Sequence, residues 1–152
     1  MVKNAVLENI ADVDKLDLNC LRFENDKNAQ VAFDAVRIIQ DELNDEIFTG
    51  VGFMGPFTTA ANLAGTTTVL KAMRKDPEGL HKLLDFAADA TIGVGRKFVE
   101  NQIGIGLAEP TASLVSPKQF REFVTPYYKK VMDKWKEWAF LHTFLVIILI
   151  NK

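Results

Sequence analysis

Glu109 closes an apolar run, "IGIGLAEP" from Ile103 to Pro110, and is followed by Thr111 and Ser113. A carboxyl at the end of a buried strand stands where parallel α/β sheets and barrels keep their sites. There it can bind a substrate group, cap a turn or pair with a base, and the sequence leaves all three open. The glycines of "GVGFMGPFTT" and "GIG" lack the GxGxxG and GxxxxGK[ST] spacings ahead of a helix, so a phosphate cradle is not expected. They fit places where backbone or a ligand approaches closely. Neither His81 nor His142 has Cys or an acid at metal spacing, and His81 reads as a surface or satisfied histidine. Cys20, the only cysteine, excludes an internal disulfide and reads as a small buried hydrophobe.

The elements that must position these groups alternate between helix and strand. In "NAQVAFDAVRIIQDEL", Val31, Ala35, Ile38, Ile39 and Leu43 fall on one face of an amphipathic helix. Ile47, Phe48, Val51 and Phe53 predict a buried strand that opens into a tight turn at Gly55-Pro56. From Phe57 onward a short helix, a break at Gly65 and a second helix ending near "RKDP" are expected. Asp76 as N-cap with Pro77 at N1 starts the next helix, which runs to about Asn101, with Gly93 and Gly95 weakening its middle. Ser116 and Pro117 repeat that start, and Pro126 predicts a kink or break near Thr125. Tyr127, Tyr128, Trp135 and Trp138 form an aromatic stripe read as core packing against a sheet. Helices alternating with buried strands force parallel pairing, so the class is α/β.

The 152 residues, 48% of them hydrophobic, are enough for one domain with a real core. A formal net charge of -2 without a basic block gives no attraction for nucleic acid or anionic membrane, and neither partner is expected. The first residues lack a signal-peptide core, and the apolar stretch from Ala139 to Ile150 is too short for a spanning helix. Together with the lone cysteine this predicts a cytoplasmic protein.

"GFMGPFTTAANLAG", "KDPEGLHKLLDFAADA" and "GLAEPTASLVSPKQFREFVTPYYKKV" together resemble the uroporphyrinogen decarboxylase superfamily, which includes the methylcobamide:coenzyme M methyltransferases. The resemblance covers roughly Ala5 to Trp138 and implies a partial TIM-barrel, a (β/α)8 segment with parallel strands and covering helices. It implies substrate-binding positions at Gly55, Pro56, Phe57, Thr58, Asn62, Glu109, Thr111 and Ser113, and assigns no catalytic residue. Asn62 stands where decarboxylases usually carry a substrate-contacting tyrosine, and "EPTASLVSP" looks more like the methyltransferases. The implied activity is methyl transfer from a methylcorrinoid to a thiol, with uroporphyrinogen decarboxylation as the alternative.

The zinc ligands of those methyltransferases, a His-x-Cys strand and a later Cys, follow the position of Trp138 in the family's order and are not found here. The chain therefore reads as a middle slice without a cofactor of its own, inactive alone, whose parent takes a corrinoid protein or small-molecule substrate and uses zinc and a corrinoid. A partial barrel also predicts self-association through its open strand edges, making a non-catalytic homo-oligomeric module the further alternative. The domain is expected over 1–138. The tail, 139–152, reads as an out-of-frame extension: taken one base earlier after the Trp138 codon, the message permits "WGILTHI", a helix-ending glycine and a strand with histidine. That shift cannot place Cys two residues after the histidine.

Overall fold

The computed structural model describes residues 6–43 and 49–138, without the side chains of residues 20 and 21. The expectations for Ile47, Phe48, His142 and the 139–152 tail, and that for the Cys20 side chain, lie outside what is described.

Three short 3-10 turns lead into α1 (Lys27–Leu43). Then follow β1 (Gly50–Met54), α2 (Pro56–Ala64), α3 (Thr66–Lys75), α4 (Pro77–Glu100) and β2 (Gly104–Ala108). The two strands pair in parallel, Gly50 with Gly104 through Met54 with Ala108. With the helices between them they form the βαβ unit that alternating elements predict. Local chemistry sets the helix limits. Asp76 accepts the Gly79 N–H at 3.0 Å with Pro77 behind it, and Ser116 makes a capping box with Gln119. Gly65, at φ 84, turns α2 into α3.

Pro126 does not break the last helix. Pro117–Gln119 (α5), a π-helical turn at Phe120–Val124 and Thr125–Trp138 (α6) follow one another without interruption. Proline cannot donate to the carbonyl four residues earlier, and the widened turn takes up the misfit. Within it both the backbone N–H and the hydroxyl of Thr125 donate to the Phe120 carbonyl, the hydroxyl at 3.3 Å.

Two apolar clusters form the core. One gathers α2, α3 and the first half of α4 around Phe57, Leu80, Leu83 and Leu84. The other packs β2 against the second half of α4 and α6, around Phe98, Ile105, Leu107 and Trp135. Gly95 does not weaken α4 idly: a Cβ there would lie 2.3 Å from Cζ2 of the buried Trp135. The expected aromatic stripe is only partly core, since Trp135 is buried while Trp138 is half-buried beneath the cations of Arg96 and Lys134.

Two expectations are corrected. The α1 face carrying Val31, Ala35, Ile38 and Ile39 does not meet the core: Val31 is 67% exposed, Ile38 59% and Ile39 44%. α1 docks through Ala29, Val36 and Phe33 instead, because Phe33 meets Phe23 and Phe98 edge to face at 5.5 Å each. β1 alternates between exposed and half-buried residues rather than being buried, with Val51 and Phe53 turned to the helices and Gly50, Gly52 and Met54 to the open face.

Candidate functional site

The carboxyl ends of both strands converge on one carboxylate. Met54 ends β1, and Gly55 and Pro56 then turn the chain into α2. Gly55 is the N-cap residue but has no side chain with which to cap. Glu109, leaving β2, performs that task from outside the helix. Its Oε1 accepts the Phe57 N–H at 3.0 Å, and its Oε2 accepts the Thr58 N–H and the Thr58 hydroxyl, each at 2.8 Å. Of about four lone-pair sites on a carboxylate, three are therefore occupied. These bonds satisfy donors at the helix start that would otherwise lack partners, where the helix dipole also favours negative charge.

Glu109 is 1% exposed. Burial pushes its carboxyl above the ordinary carboxylate range, against the opposing pull of the three donors. Gly55 follows from the same geometry, because a Cβ there would lie 2.3 Å from Oε1 of Glu109. The Gly55 N–H also donates to the Ala108 carbonyl at 2.8 Å, which carries the parallel ladder up to the turn.

The sequence-predicted residues thus divide. Gly55, Pro56, Phe57, Thr58 and Glu109 form one locked turn, and Thr111 joins it through a long 3.4 Å bond from its N–H to the Thr58 hydroxyl. Asn62 and Ser113 stand apart from the lock. Asn62 is exposed on α2, and the Ser113 hydroxyl is spent on the Pro110 carbonyl at 2.8 Å. His81 is satisfied, as expected: its Nδ1 lies 2.7 Å from the Tyr127 hydroxyl and its ring stacks on Phe123.

Sequence reasoning missed Tyr128 as a neighbour of the site. Its hydroxyl is buried without a hydrogen-bond partner among the described residues, and burial first, then the Glu109 charge, raises its pKa. Membership of the aromatic stripe hid this, since nothing in "TPYYKKV" tells which tyrosine comes within reach of the Glu109 charge. Also missed was the pairing of Gly50 with Gly104 and of Gly52 with Gly106, which leaves that sheet face without side chains until Met54 and Ala108 at its carboxyl end. A mainly apolar cleft of about 380 Å³ lies between α1, β1, α2 and α4, lined by Ala29, Phe53, Thr91 and Phe98 among others; Met54 and Thr59 on its wall flank the turn, while Glu109 is not part of its lining.

Among the described residues no three His, Cys, Asp or Glu side chains stand together so as to hold a metal ion. The zinc implied by the resemblance does not fit them. Among the same residues no helix is long and apolar enough to cross a membrane.

Residues 1–145 match the family profile described as Uroporphyrinogen decarboxylase (URO-D). The chain is 33% identical over 143 residues to the uroporphyrinogen decarboxylase of Thermodesulfovibrio yellowstonii, covering 86% of this chain and 40% of that protein. It is 27% identical over 135 residues to the methylcobamide:CoM methyltransferase MtbA of Methanosarcina acetivorans, covering 87% and 39%. Against the methylated-thiol–coenzyme M methyltransferase of Methanosarcina mazei it is 33% identical over 81 residues, covering 50% and 22%. The chain thus spans about 40% of the length of the first two of these relatives.

Proposed function

This chain belongs to the uroporphyrinogen decarboxylase family, and from that premise we propose that it supplies a substrate-binding wall for methyl transfer from a methylcorrinoid to a thiol. The observation that carries this reading is Asn62. It is exposed on α2 one helical turn beyond Thr58, where the resemblance to decarboxylases implies a tyrosine. A phenol there would offer a ring and a hydroxyl to a porphyrinogen, whereas an amide offers only a short polar contact.

The locked turn suits a binding role. Glu109 is a positioning residue: it holds α2 by its first free N–H groups and so fixes Gly55 to Thr58 relative to both strands. Fixing a wall to within a fraction of an ångström matters because misplacing a bound reactant by about 1 Å can cost on the order of a hundredfold in rate. Nearer the turn, Gly52, exposed with open space over its Cα and paired with Gly106, suits the approach of a planar ligand to the backbone.

Decarboxylation of a porphyrinogen is the second reading, and the 33% identity to the Thermodesulfovibrio yellowstonii enzyme favours it. The test offers both substrate sets to this chain and to the longest in-frame product of its gene, with chromatography of the products. A methylated thiol supports the proposal. Loss of carboxyl groups from uroporphyrinogen without thiol methylation overturns it.

A further inference from the structure

We draw no further inference here: the strongest candidate, the Tyr128 side chain on α6, whose buried hydroxyl lacks a hydrogen-bond partner among the described residues, belongs to the Glu109 site already described, and nothing in the structure shows what that hydroxyl meets.

Discussion

Gly55 and Glu109 share one small volume: a Cβ on Gly55 would stand 2.3 Å from Oε1 of Glu109, at the very oxygen that accepts the Phe57 N–H. The backbone of Gly55, at φ -73 and ψ 170, is one that any residue adopts, so the requirement for glycine is purely steric. Gly55→Ala should therefore displace the carboxylate, strand buried donors and cost about 2–4 kcal/mol. Gly52 provides the control, because its Cβ would meet nothing within 4 Å. Gly52→Ala should be neutral or stabilising by up to about 1 kcal/mol, as alanine loses less backbone freedom on folding. Denaturant midpoints of the two variants check the pair, and equal losses would refute the lock.

Glu109 also predicts a pH dependence. Burial outweighs its donors and holds its carboxyl above the ordinary 4.5. A folded pKa above the unfolded one means that folding favours the protonated form. The resulting stabilisation is fully present below the unfolded pKa and is lost as pH rises through the folded one. Glu109→Gln removes this titration, at a constant cost of about 1–3 kcal/mol for donors left without an acceptor. The stability of the wild type relative to the Gln variant should thus decline from about pH 4 upward and then level off. Urea unfolding across that range measures it, and a difference that grows with pH would be inconsistent with the raised pKa.

α4 holds a matched pair of glycines. Gly95→Ala drives a methyl into the buried Trp135 and should cost about 1–3 kcal/mol despite the better helix propensity of alanine. Gly93, whose Cβ would meet nothing within 4 Å, should gain up to about 1 kcal/mol on the same change. Thermal unfolding of both variants reads the opposite signs, and a stabilised Gly95→Ala would mean that Trp135 is not held where it stands.

Local signals in the sequence located the helix starts at Asp76-Pro77 and Ser116-Pro117 and the break at Gly65, because each depends on neighbours a few residues away. The orientation of α1 was not legible in the same way. Its wheel carries two apolar faces, and periodicity cannot tell that Phe33 with Phe23 and Phe98 would outbid Val31 and Ile38 for the core. Glu109 falls between these cases. Its place at a strand end was readable from the run before it, but its partners were not, since Phe57 and Thr58 lie more than fifty residues earlier and come near only through parallel pairing. The π-turn before Pro126 was foreshadowed as a distortion, while its form depended on how Thr125 could reach the Phe120 carbonyl.

The proposed chemistry is tested most directly by the visible spectrum of methylcobalamin mixed with a thiol and the longest in-frame product of this gene. Methyl transfer to sulfur predicts a loss of the methylcobalamin bands that requires both protein and thiol, and that is reduced in Gly55→Ala. An unchanged spectrum, alongside carboxyl loss when the same preparation is given uroporphyrinogen, would contradict it.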